Sequence, residues 1–67
     1  MMTGKTVVYT KSHYDWLVMV GRWPSKYLSR FEFLGKIIEV NDDGAVHVVW
    51  DVTGNHSWHF ADNLEEA

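Results

Sequence analysis

The alternation of β-rich segments with tight-turn sequences between residues 33 and 64 is the feature that most constrains the fold. Residues 33–40 and 45–52 are rich in valine and isoleucine, and the sequence NDDG at residues 41–44 separates them. An Asp-Gly pair supplies the positive φ that a short hairpin turn requires, which predicts an antiparallel hairpin. A second turn containing Gly and Asn, at residues 53–56, leads to a short strand at residues 57–60.

The side-chain alternation of these strands predicts which residues form the core. One face of the 45–52 strand is wholly apolar and is therefore predicted to point inward. In the short strand that follows, Trp58 and Phe60 share a face, and His59 lies on the other. The predicted core is Val46, Val48, Trp50, Trp58 and Phe60. Residues 61–64 are predicted to form one 3₁₀ turn that brings Leu64 under the core, and residues 65–67 a frayed tail.

The first part of the chain is less regular. Residues 5–10 are predicted to form the first strand, because Val, Thr and Tyr are frequent there. The long connection that follows contains an apolar run at residues 16–20, interpreted as a strand or a hydrophobic anchor. Pro24 favours an extended Trp23, and residues 25–31 are predicted to form one or two helical turns. A connection of this length is expected to be ordered in a compact domain.

Chain length and composition limit the class of protein. Sixty-seven residues predict one domain over residues 1–67, near the lower size limit for a core without crosslinks. The chain has no cysteine, which excludes disulfides and thiolate metal sites and favours a cytoplasmic setting. Four Trp, three Tyr and three Phe supply the large apolar side chains that so short a chain needs. No apolar run approaches the about 20 residues that cross a bilayer, so no membrane association is predicted.

Together these elements resemble an SH3-like small β-barrel. The matching positions are Val7, Val8, residues 35–40 (GKIIEV), Asp43, Gly44, Val46, Val48, residues 49–51 (VWD), Gly54, Phe60 and Leu64. The chain is most similar to Mind-bomb/HERC-type domains and more loosely to KOW-type and Tudor-like barrels. The resemblance implies an all-β antiparallel barrel of four or five strands, whose long first loop contains a short helical turn. It also implies that a protein or peptide binds in a shallow aromatic groove, without catalysis.

Groups that could support catalysis or metal binding are sparse. Asp42 and Asp43 lie in a turn, where such residues bond to nearby backbone N–H groups. Ser57 and His59 have no third catalytic partner at an informative spacing. His56 and His59 are three residues apart and would project to opposite faces of a strand. The sequence therefore predicts neither an enzyme nor a metal or other cofactor.

Aromatic and basic residues are interleaved between residues 9 and 33. Exposed Trp and Tyr beside Arg are typical of protein-binding hot spots. The candidate partner-binding residues are Tyr14, Trp16, Arg22, Trp23, Lys26, Tyr27 and Arg30. The competing interpretation, favoured for most of the aromatics, is that they plug the mouth of the barrel. The residues assigned to that plug are Trp16, Tyr27, Leu28 and Phe31.

Charge is unevenly distributed along the chain. Residues 1–36 hold all six Lys and Arg and two acids, a net charge of +4, whereas residues 37–67 hold seven acids and a net charge of −7. Because the two halves of a barrel interleave, a mixed surface is favoured over a separate basic face.

A larger protein or peptide is the predicted partner. In that interpretation the chain is a small accessory, adaptor or inhibitor protein, of the kind that phages and mobile elements encode. Nucleic acid is an alternative partner, bound as in a KOW-like barrel through the aromatic and basic segment 11–36, although the net charge of −3 disfavours it. The other alternative is a structural subunit that pairs through an edge strand, so that the chain is a monomer or a weak homodimer.

Overall fold

The computed structural model describes residues 2–67 and contains five strands, one α-helix and one 3₁₀ turn. In chain order these are β1 (Thr6–Tyr9), α1 (Lys11–Met19), β2 (Gly35–Val40), β3 (Ala45–Trp50), β4 (His56–Phe60), the 3₁₀ turn (Ala61–Asn63) and β5 (Leu64–Glu66). No helix within residues 2–67 is long and apolar enough to span a membrane.

All five strands belong to one antiparallel sheet with the order β4-β3-β2-β1-β5. The predicted β2–β3 hairpin is confirmed, since Asn41 N–H donates to Ala45 O at 2.8 Å and Gly44 takes a φ of +89°. The mostly β architecture is likewise confirmed. Within residues 2–67 the sheet is open, with β4 and β5 as its edges, and the predicted barrel closure is not demonstrated.

The sheet is nevertheless strongly curled. In a flat sheet, β1 and β4 would lie about 14 Å apart, because strands are spaced by about 4.8 Å. Yet the Tyr9 hydroxyl on β1 lies 3.3 Å from His59 Nε2 on β4. The inner faces of these strands therefore turn toward each other across the core.

The core contains three of its five predicted members. Its buried residues are Val7, Val8, Tyr9, Phe33, Ile37, Val46, Val48, Trp50 and Leu64. The prediction for Trp58 and Phe60 is wrong, because these side chains are 47% and 66% exposed. The reason is the register of β4, which sets Ser57 opposite Val48 and His59 opposite Val46. Facing residues of antiparallel strands share a sheet face, so the two polar residues point inward.

The helix lies earlier in the chain than predicted. Residues 11–19 form α1, whereas residues 25–32 contain only isolated turns. Thr10 caps the start of α1, since its Oγ1 accepts a hydrogen bond from His13 N–H at 3.3 Å. Gly21, at φ +74°, ends it with bonds from Gly21 N–H to Val18 O and from Arg22 N–H to Leu17 O. This pair of bonds is a Schellman motif, which requires the left-handed conformation that glycine adopts freely.

The C-terminal segment also differs in part from the prediction. The 3₁₀ turn and the burial of Leu64 are confirmed. The frayed tail is wrong, because β5 pairs with β1 and Ala67 N–H donates to Thr6 O at 3.0 Å. Pairing with β1 also gives the acidic half of the chain an ion pair with the basic half, between Arg30 and Glu65.

Candidate binding surface

Trp23 anchors the connection between α1 and β2. Its indole Nε1–H donates to Leu28 O at 2.9 Å, which closes the loop on itself. Its ring lies 5.2 Å from Phe33 in the core and 4.8 Å, edge to face, from Tyr14 on α1. Trp23 is therefore a predicted site residue whose main contacts are internal, and it fixes the position of Tyr14 from below.

Two shallow grooves meet at Tyr14. The first has a volume of about 210 Å³ and is lined by Tyr14, Val18, Gly21, Trp23 and Lys26. The second has a volume of about 300 Å³ and is lined by Lys11, Tyr14, Ser29, Arg30 and Phe31. Because Tyr14 contributes to both, the grooves adjoin, and their combined lining residues are called the Tyr14 surface below. Four predicted site residues, Tyr14, Trp23, Lys26 and Arg30, are brought together there.

The predicted aromatic plug is wrong for three of its four members. Trp16 is 46% exposed, Phe31 is 63% exposed and Tyr27 is 85% exposed. Only Leu28 packs against the core. Sequence reasoning therefore misses Phe31 as a surface residue, because an apolar side chain in a short chain predicts burial.

The cations of this region differ in their surroundings. Arg30 donates to Tyr9 O at 2.9 Å and pairs with Glu65, so it ties the loop to β1 and β5. Its guanidinium carbon also lies 4.2 Å from the centre of the Phe31 ring, which holds that ring in place. Lys11 pairs with Asp15 at 2.8 Å on α1. Lys26 lies 5.2 Å from the centre of the Tyr27 ring and forms no ion pair within residues 2–67.

The remaining predicted site residues lie outside the two grooves. Arg22 lines a separate cleft of about 430 Å³, whose other walls include Pro24, Trp50 and Asn55. Trp16 stacks on His13, with ring centres 5.6 Å apart, on another side of α1. Tyr27 follows Lys26 in the loop but lines neither groove. The seven predicted residues therefore do not form one continuous site.

A chain of hydrogen bonds crosses the interior between β3, β4 and β1. Trp50 Nε1–H donates to Ser57 Oγ at 2.8 Å, and Ser57 Oγ lies 2.7 Å from His59 Nε2. The Tyr9 hydroxyl completes the chain at 3.3 Å from the same nitrogen. These contacts satisfy the inward-facing polar groups of β4, which explains how the core accommodates them. Within residues 2–67 no group of three or more metal-binding side chains is assembled.

Burial shifts the ionisation of this interior chain. It lowers the pKa of His59, and the nearby His13, with ring centres 6.2 Å apart, lowers it further. Burial also lowers the pKa of His13 and raises the pKa of Tyr9 to about 12. All three shifts favour the neutral form of the side chain, so folding stabilises the uncharged state of these three residues.

We expect acidification to destabilise the fold before the carboxylates titrate. Because the pKa of His59 is lower in the folded than in the unfolded chain, the unfolded chain binds its proton first. The stabilisation is complete above the ordinary pKa of 6.5 and is lost as pH falls through the lowered pKa. For this one residue the slope of the unfolding free energy cannot exceed about 1.4 kcal/mol per pH unit, because unfolding takes up at most one proton. Partial exposure limits the pKa shift and so keeps the slope below that value. Urea unfolding between pH 7.5 and about pH 5 measures how the free energy of unfolding depends on pH.

The control for this prediction is His59→Gln, which keeps hydrogen-bonding capacity but cannot titrate. Its unfolding free energy should vary less steeply over the same pH range, and the remaining slope should reflect His13. Equal slopes in the variant and the original protein would contradict the assignment.

In comparisons with known proteins, no family model, no curated protein and no solved structure matches this chain.

Proposed function

We propose that this protein is a non-catalytic protein- or peptide-binding module and that its partner docks on the Tyr14 surface. The observation that carries the proposal is an exposed aromatic side chain, Phe31, which lines one of two adjoining grooves whose walls also include Lys11, Lys26 and Arg30. Large apolar groups held in solvent beside a charged residue are characteristic of protein-binding hot spots. The role of a small accessory, adaptor or inhibitor protein, a phage or mobile-element origin and a cytoplasmic location belong to the same hypothesis.

The proposal includes an SH3-like barrel as the scaffold. It is supported by the meander of four antiparallel strands and by the return of β5 to the edge beside β1. The curl that brings Tyr9 to His59 is in the direction that barrel closure requires. The resemblance of the sequence to such barrels points the same way.

The physical basis for binding is a preorganised surface. Trp23 is fixed by its bond to Leu28 O, and Arg30 is fixed by Tyr9 O and Glu65. Trp23 supports the Tyr14 ring from below, and Arg30 holds the Phe31 ring from the side. A partner that inserts an apolar side chain beside Tyr14 would therefore pay little ordering entropy in this protein.

Nucleic acid is the less favoured partner. Two of the five Lys and Arg residues in segment 11–36, Lys11 and Arg30, are engaged with Asp15 and Glu65. Arg22 lies in a different cleft from Lys26. Binding to a phosphate backbone is largely electrostatic and needs a continuous run of free cations.

The test uses a peptide rather than an unidentified partner. Peptides of random sequence are selected on the immobilised protein, and the affinity of the best monovalent peptide is measured by fluorescence anisotropy. Phe31→Ala is expected to weaken binding at least about tenfold, as for a hot-spot residue. The matched control is Phe60→Ala, because Phe31 and Phe60 are 63% and 66% exposed but lie on different surfaces. That variant should bind within about twofold of the original protein.

Two results would contradict the proposal. One is that Phe31→Ala and Phe60→Ala have equal effects on every selected peptide. The other is that a single-stranded oligonucleotide of about 20 nucleotides binds at about 50 mM salt and loses affinity on Lys26→Glu, which would favour nucleic acid.

A further inference from the structure

We propose that the free edge of β4 binds the β4 edge of a second copy of this chain, so that two sheets join into one across a two-fold axis at Trp58. Within residues 2–67, β4 pairs with β3 alone, and its other side is an edge of the sheet. This interface is separate from the Tyr14 surface and does not depend on the function proposed for it.

The β4 edge lacks the features that normally prevent strand pairing. Native edge strands are usually blocked by Lys, Pro, a bulge or inward-pointing charges. The sequence of β4, HSWHF, contains no Lys, Arg, Asp, Glu or Pro, and its register with β3 is continuous over all five residues. The opposite edge, β5, has only three residues, two of which are Glu65 and Glu66. The sheet is therefore protected at one edge and open at the other.

The backbone of β4 presents its hydrogen-bonding groups at alternate residues. Trp50 N–H donates to Asn55 O, and Ala61 N–H donates to Gly44 O, so both of these pairs are hydrogen-bonded across the β3–β4 ladder. Because bonded pairs alternate in antiparallel strands, Ser57 and His59 also direct their backbone groups toward β3. The N–H and C=O groups of the other three residues point to the open edge. Those residues are His56, Trp58 and Phe60.

These three positions are self-complementary. Antiparallel pairing about Trp58 sets Trp58 opposite its own copy and His56 opposite Phe60 of the second chain. Each of these facing pairs consists of residues whose N–H and C=O both point to the edge, so each can exchange two hydrogen bonds. The side chains involved lie on the outer face, where Trp58 already stacks on His47 with ring centres 4.8 Å apart. Aromatic pairs directly opposite each other stabilise a sheet.

Charge favours self-pairing at the β4 edge over self-pairing at the β5 edge. Self-pairing of β5 about its central residue would set Glu65 opposite Glu65, and like charges directly opposite destabilise a sheet. No such repulsion arises at β4, where the facing residues are neutral or histidine. The partial exposure of Trp58 and Phe60 then supplies apolar surface that pairing removes from water.

Sedimentation equilibrium tests the proposal. The mass should rise from 7.8 kDa at low micromolar concentration toward twice that value at submillimolar concentration. Trp58→Lys sets like charges opposite each other at the axis and should keep the protein at the lower mass throughout. The control is Val52→Lys, because Val52 is exposed but lies in the turn after β3, and it should dimerise like the original protein. A mass that stays at 7.8 kDa in the original protein, or dimerisation that Trp58→Lys leaves unchanged, would overturn the proposal.

Crosslinking tests the register independently. The chain has no cysteine, so single introduced thiols are unique. Facing residues of a bonded antiparallel pair have Cα atoms about 5.5 Å apart, within disulfide range, so Trp58→Cys should form a covalent dimer on mild oxidation. Phe60→Cys should not, because its two copies would be about 14 Å apart along the strand. Crosslinking of Phe60→Cys without crosslinking of Trp58→Cys would reject this dimer. So would a β4 edge that binds a strand of another protein while the chain does not associate with itself.

Discussion

Replacement of Gly35 by alanine is expected to lower the free energy of unfolding by about 3 kcal/mol or more, which overpacking of a rigid core can cost. A Cβ atom at this position would lie 2.5 Å from Val48 Cγ1 and 2.7 Å from Trp50 Cε3. Both contacts are far inside van der Waals distance, and both side chains are buried. A chain of this length has roughly 3–10 kcal/mol of stability in total, so the substitution should remove between about a third and all of it.

Guanidinium unfolding followed by tryptophan fluorescence measures this effect. Gly21→Ala is the matched control, because a Cβ atom there meets nothing within 4 Å and only the positive φ of +74° opposes it. Its expected cost is about 1–2 kcal/mol. If Gly35→Ala cost no more than Gly21→Ala, the close contact of β2 with the Trp50 ring would be wrong.

Trp23→Ala should be the second most damaging substitution, with a loss of about 3 kcal/mol or more. The indole packs against Phe33 and Tyr14, and its Nε1–H is the donor to Leu28 O. Its removal leaves a cavity under the loop and an acceptor without its partner. Trp16→Ala is the matched control, since Trp16 is 46% exposed on α1, and its expected cost is less than about 1 kcal/mol.

The same unfolding measurement tests whether Trp23 contributes more to stability than Trp16 does. Similar losses for both, or a larger loss for Trp16→Ala, would contradict the assigned packing. The prediction also affects how binding experiments are designed. Loss of partner binding in Trp23→Ala would report on the fold of the loop, whereas Phe31→Ala reports on the surface alone.

The strands and turns between residues 33 and 60 follow from local chemistry and are predicted well, whereas β5 is not. The Asp-Gly turn requires a positive φ, and Gly44 adopts one at +89°. The alternation in β3 correctly assigns Val46, Val48 and Trp50 to the core. The 3₁₀ turn and the buried Leu64 are also correct, because each depends on only a few neighbouring residues.

The helix was missed although its signals are present in the sequence. Threonine, as at position 10, is a favourable N-cap residue, and glycine, as at position 21, commonly ends a helix. The apolar run at residues 16–20 obscured these signals, because it favoured a strand or an anchor over a helix. In the structure α1 has no fully buried residue, so its caps and local hydrogen bonds define it more than packing does.

The candidate site was only partly predictable for a different reason. Aromatic residues in a short chain serve both the core and a binding surface, and composition does not separate the two. Trp23 is held inside by its contacts, while Tyr27 and Phe31 remain in solvent. That division depends on how the loop folds back on β1 and β5 through Arg30, a contact between distant parts of the chain.

The sequence by itself determined the hairpin turns and strands β1 to β4, because turn conformation and strand preference are properties of a few adjacent residues. Only the tertiary structure decided which face of β4 is inside. Both faces of HSWHF carry side chains that could pack, and the register with β3 directs Ser57 and His59 inward, where Trp50 and Tyr9 provide their hydrogen bonds. The same register leaves Trp58 and Phe60 in solvent at an open edge. Pairing between strands is a non-local choice, and it changed these aromatics from predicted core into surface available for a partner.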